Sequence, residues 1–146
     1  MYKEPLFLAA GDRALVVELG ETISPEINRR VNDLASAMDN QTITGITDLI
    51  PTYRSLLVQY NPTEVSCSVL QNTIREIEGS LSGQSHKKTK VVSIPTLYEG
   101  KYAPDLTFVA ENSELTIRDV INIHTGTSYL VYMIGFTPGF PYLGGL

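Results

Sequence analysis

Apolar residues recur along the chain with two periods. A period of two marks Ala14-Leu-Val-Val-Glu-Leu19, closed by Gly20, and the run 53–60, where Leu56, Val58 and Tyr60 alternate onto one side. An earlier β-prone run over 5–10 precedes Gly11-Asp12, and a run over 45–50 ends at Pro51, which confines that strand to an edge or a strand end. A helical period follows Ser24-Pro25, a cap and first-turn pair, with Ile27, Val31, Leu34, Ala35 and Met38 on one face. A second helix, capped by Thr63, turns Cys67, Leu70, Ile74, Ile77 and Leu81 inward, and Cys67 reads there as a small hydrophobe. Strand, helix, strand, strand, helix is one strand short of a ferredoxin-like arrangement, and other α+β topologies fit as well.

Residues 80–90 are polar, glycine-containing and without hydrophobic period, so a boundary is expected there: an α+β domain over 1–84, a linker over 85–89, and a second domain over 90–146. Val91-Val-Ser-Ile94 predicts a strand that belongs to either domain. Pro104-Asp105 starts a short helical turn. Thr116 and Asp119 have capping-box spacing for a further helix in which Ile117, Val120, Ile121 and His124 share a face. Residues 128–134 are apolar on both alternating faces, the pattern of a strand buried on both sides. From Gly135 on, four glycines, two prolines and three aromatics crowd into twelve residues and predict an irregular loop that lines a pocket or interface, or is a buried turn.

Composition narrows the function classes. The 146 residues are 42% apolar and 18% charged, as in ordinary globular domains, and the net charge of -5 gives no electrostatic footprint for nucleic acid. No apolar run approaches the roughly 20 residues a membrane span needs, and the start of the chain does not read as a signal peptide, so the expected location is cytoplasmic. The single cysteine excludes an internal disulfide, and no Cys or His spacing suits zinc, so no metal is expected. His86, in the linker, reads as a surface residue. Walker, dinucleotide, HExxH and GxSxG motifs are absent.

His124 is the titratable group best placed for chemistry. Its ordinary pKa suits proton transfer at neutral pH, but spacing alone favours a core histidine bonded to backbone. Backbone N–H groups of the terminal glycines are candidate donors to a carboxylate or oxyanion.

Gly11-Asp-Arg-Ala-Leu-Val-Val-Glu-Leu-Gly20, Ile50-Pro-Thr-Tyr-Arg-Ser-Leu-Leu-Val58, Ile94-Pro95 with Tyr98, Pro104-Asp105-Leu106, Ile123-His124 and Gly135-Phe-Thr-Pro-Gly-Phe-Pro-Tyr-Leu-Gly-Gly145 together resemble the family of KipI, the 5-oxoprolinase B-type component (PxpB) and the first allophanate hydrolase component. The resemblance implies a ferredoxin-like domain followed by the first part of a cyclophilin-like β-barrel that continues beyond Leu146, leaving strand edges open to another chain. It also implies a component of an ATP-dependent 5-oxoprolinase, with C-type and A-type partner subunits, no firmly bound cofactor, and ATP used on a partner. His124 is then the catalytic candidate, and Tyr132, Gly135, Phe136, Pro138, Gly139, Phe140 and Tyr142 are the substrate-binding candidates. Two other activities within the family stay open: inhibition of a sensor histidine kinase by binding, and carboxyltransfer in urea or allophanate metabolism.

Overall fold

A computed structural model describes residues 1–81 and 90–144; the expected linker, with His86, lies outside the described residues. The chain is a mixed α/β protein with antiparallel sheets, divided into two compact units: 1–81 with 131–144, and 90–130.

The first unit is built on β1 (Leu6–Ala9), β2 (Ala14–Glu18), β3 (Ile46–Pro51) and β4 (Ser55–Tyr60), in the order β1-β2-β4-β3 with every neighbour antiparallel. Leu15 stands opposite Val58 and Val17 opposite Leu56, so period-two alternation sends one set of side chains to a single face. Helices α1 (Pro25–Gln41) and α2 (Cys67–Ser80) supply the other half of the core with Ile27, Val31, Leu34 and Met38, and with Leu70, Ile74 and Ile77. Each such side chain, fully withdrawn from water, contributes about 1.5–3 kcal/mol.

The cap of α1 is as expected: the N–H of Ile27 donates to the Ser24 hydroxyl at 3.2 Å. The cap of α2 is not Thr63 but Ser66, whose hydroxyl accepts from the N–H of Val69. Thr63 instead donates its N–H and its hydroxyl to the Asn61 side chain, a local turn that delays the helix. Pro51 ends β3, an edge strand, as its missing N–H demands.

The second unit holds a short 3-10 turn (Gly100–Tyr102), α3 (Leu106–Asn112) and α4 (Ile117–Thr125). The capping box of α4 is complete, with Thr116 and Asp119 each bonding the other's backbone. Asp105 stands at the N-cap of α3 without a side-chain bond. The strand expected at Val91–Ile94 does not form, and Val91, Val92 and Ile94 are exposed. A β-prone composition makes no strand by itself; a strand is defined by the partner it pairs with. The place beside β2 where a closing strand of the ferredoxin-like order belongs is already taken by β1.

Candidate functional site

The strand and terminal segment that the sequence singles out fold as a hairpin of β5 (Leu130–Gly135) and β6 (Phe140–Gly144), which form a two-stranded sheet. Two expectations are corrected. β5 is not buried on both sides: Tyr132 is buried, whereas Leu130, Val131 and Ile134 are exposed. The segment beyond Gly135 is not irregular. Phe140 donates its N–H to the Thr137 carbonyl at 3.0 Å, Pro138 holds the first corner, and Gly139 has φ 85°, the features of a type II turn that returns the chain into β6. Phe140's N–H is therefore engaged and is not an anion donor. Phe136 has φ 57°, a left-handed value unusual for an aromatic residue, and the residue is 87% exposed.

Within the first unit the hairpin brings all seven of its candidate residues together. Tyr53, from the turn between β3 and β4, packs against Tyr132 at 5.1 Å between ring centroids and edge-on to Tyr142 at 6.1 Å. Tyr142 meets Phe140 at 5.4 Å, and Phe140 meets Phe136 at 5.8 Å, so five rings run in a chain with mostly edge-to-face contacts. Gly144 lies so close to the Tyr132 ring that a Cβ would overlap it, and a Cβ on Gly135 would meet Tyr142 at 3.5 Å. The glycines thus serve close approach here.

Asn28 holds the base of this hairpin. It is 5% exposed, the one buried polar side chain among the described residues. Its amide nitrogen donates toward the carbonyls of Thr52 (3.0 Å), Tyr53 (3.4 Å) and Tyr132 (3.1 Å), while its oxygen accepts from the Asn32 amide at 3.0 Å.

His124 belongs to the second unit and has its own neighbours. It is exposed, in the last turn of α4, so the reading as a core histidine is corrected. Its Nδ1 is hydrogen-bonded to the Tyr98 hydroxyl, and the Tyr129 hydroxyl donates to its backbone carbonyl at 3.2 Å. The rings of Tyr98 and Tyr129 lie 5.8 and 5.7 Å from the imidazole. Tyr98 therefore orients the ring and engages one nitrogen. Nε2 has no hydrogen-bond partner among the described residues.

Asn28, Tyr53 and Tyr98 are the residues that sequence reasoning did not mark as functional. Tyr53 and Tyr98 stand inside the motifs that carry the family resemblance. Asn28 had a fainter signal, a polar residue three before Val31 on an apolar helix face. Among the described residues no group of three or more His, Cys, Asp or Glu side chains could hold a metal, and no helix is long and apolar enough to cross a membrane.

Residues 5–146 match the sequence profile described as carboxyltransferase domain, subdomain C and D. The chain belongs to this family. It is 36% identical to the B-type 5-oxoprolinase component of Bacillus subtilis (strain 168), over 93% of this chain and 61% of that protein. With the B-type 5-oxoprolinase component of Escherichia coli O157:H7 it shares 28% identity over the same fractions. Among solved structures, TTHA0988 is 34% identical and superposes with a TM-score of 0.76 over 90% of this chain and 25% of that one. The chain thus spans about three-fifths of the length of these two curated relatives.

Proposed function

We propose that this chain is the B-type part of an ATP-dependent 5-oxoprolinase, which with C-type and A-type partner subunits opens 5-oxoproline to L-glutamate. The observation that carries the reading is the 36% identity to a B-type 5-oxoprolinase component across nearly the whole chain. ATP is consumed on a partner in this scheme, in the cytoplasm, and this chain binds no cofactor of its own.

The hairpin supplies the binding wall. Phe136, Phe140 and Tyr142 give apolar ring surface for a small flat lactam, Tyr132, buried against Tyr53, backs it, and Gly135, Pro138 and Gly139 set the backbone path that presents it. His124 acts as proton donor or orienter through Nε2, with Tyr98 holding the ring from the other side. The four-stranded sheet follows a ferredoxin-like path β2-α1-β3-β4-α2 with β1 in the fourth place, and the cyclophilin-like character of the segment from residue 90 is part of the same reading.

The test is ATP-dependent 5-oxoproline turnover by the full-length protein reconstituted with its partner subunits. Loss of acid-base help in His124→Ala lowers kcat by about 10²-fold or more. Turnover within about twofold of the parent removes His124 from the chemistry, and a parent complex without oxoproline turnover removes the function.

A further inference from the structure

The base of the aromatic hairpin rests on a side chain remote from it in sequence. Asn28 lies in the second turn of α1, and its carboxamide faces the Thr52 and Tyr53 carbonyls of the β3–β4 turn and the Tyr132 carbonyl of β5. An asparagine amide has two N–H donors and one acceptor oxygen. The donors serve Thr52 and Tyr132 at the shorter distances and share Tyr53 at 3.4 Å, while the oxygen accepts from the side-chain amide of Asn32. The surrounding groups thus fix which way the amide points. A hydrophobic residue in its place withdraws the donor from all three carbonyls, of which the contact to Tyr132 is buried.

Those carbonyls belong to the residues that organise the ring chain. Tyr53 and Tyr132 are each in ring contact with the other, and Tyr53 also touches Tyr142. One amide therefore sets the separation of two backbones whose side chains place Tyr142, Phe140 and Phe136.

We propose that Asn28 is a positioning residue for the binding hairpin: it holds β5 and the Tyr53 turn at one fixed spacing, and so determines the placement of the ring surface from Phe136 to Tyr142. The kinetic part of this proposal rests on the oxoprolinase reading; the structural part does not. Asn28 is buried behind the hairpin backbone, so its loss shows in binding geometry before chemistry.

The test uses the full-length protein. In the parent, NMR is expected to show slow exchange of the Asn28 side-chain amide protons, with cross-relaxation to Tyr132 and Tyr53. Exchange as fast as that of the exposed Asn122 side chain overturns the proposal without any variant. Asn28→Asp keeps the shape but turns a carboxylate toward three carbonyls. It is expected to shift the resonances of 130–144 and Tyr53 while those of β2 and β4 stay in place, and Asn28→Gln, which retains the donor, partly restores them. In the complex with partner subunits, Asn28→Asp raises the KM for 5-oxoproline about tenfold with kcat within about twofold, the signature of lost ground-state placement. Unchanged hairpin resonances, or an unchanged KM in a complex whose parent turns over, contradict the positioning role. If the parent complex does not turn over oxoproline, the functional reading fails, and the hairpin resonances alone decide on Asn28.

Discussion

In the first unit Leu15, Val17, Leu56 and Val58 are sealed between a four-stranded sheet and two helices, at 0–1% exposure. In the second, Ala110 is the sole buried apolar residue among those described, while Val91, Ile94, Phe108 and Ile123 lie 59–77% exposed. The first unit is held collectively, because each core side chain touches several others and removing one leaves a cavity that the rest cannot fill. The second is held by local devices: the Thr116–Asp119 capping box, the left-handed Glu114 between α3 and α4, and the tyrosines around His124. An aromatic hairpin anchored in the first kind of structure has a rigid base, whereas the histidine at the end of an exposed helix relies on two neighbouring tyrosines, of which Tyr98 alone bonds its ring.

The contrast can be broken most sharply in the core. Leu56→Ala, at a fully buried site in the central strand β4, is expected to cost about 2–5 kcal/mol, read as a lower urea midpoint by far-ultraviolet circular dichroism. A smaller effect is expected from Gly144→Ala, whose Cβ overlaps the Tyr132 ring. Overpacking there costs about 1–3 kcal/mol and disturbs the tyrosine signal in near-ultraviolet circular dichroism, while the helical signal is kept. In the second unit, Thr116→Ala removes one half of the capping box and is expected to cost about 1 kcal/mol, seen as faster amide exchange confined to α4.

The smallest effect is electrostatic. The Glu26 carboxyl sits below its ordinary range, chiefly through a hydrogen bond from its own backbone N–H and then one from the Ser24 side chain. A carboxyl lowered in the folded state stabilises above its unfolded pKa and loses that contribution as pH falls through the folded value. Glu26→Gln therefore lowers the thermal midpoint slightly at neutral pH, and the difference between variant and parent closes below about pH 4. A difference that persists unchanged in acid contradicts the assignment.

The same contrast explains what could be read from the residues alone. β2, β4, α1 and α2 are each buried on one face, and one-sided burial writes itself into the sequence as a period of two or of 3.6. Val91–Ile94 has the composition of a strand, but composition is no pairing partner, and these residues lie exposed without one among the described strands. β6 hides behind Phe-Pro-Tyr-Leu-Gly, whose proline and glycine read as loop until β5 is there to pair with it. His124 was visible as a titratable residue beside an apolar face, but Tyr98 reaches it from 26 residues away. Asn28 was the least legible, since two of its acceptors lie 24 and 104 residues along the chain and no local pattern encodes such a meeting.

Native-state hydrogen exchange on the full-length protein tests most directly whether the aromatic hairpin shares the first unit's collective stability. The amides of Tyr132 and Tyr142 should exchange with protection close to that of β2 and β4, and those of α3 and α4 markedly faster. Hairpin amides that open as readily as α4, with β4 still protected, would show that the rings have no rigid base.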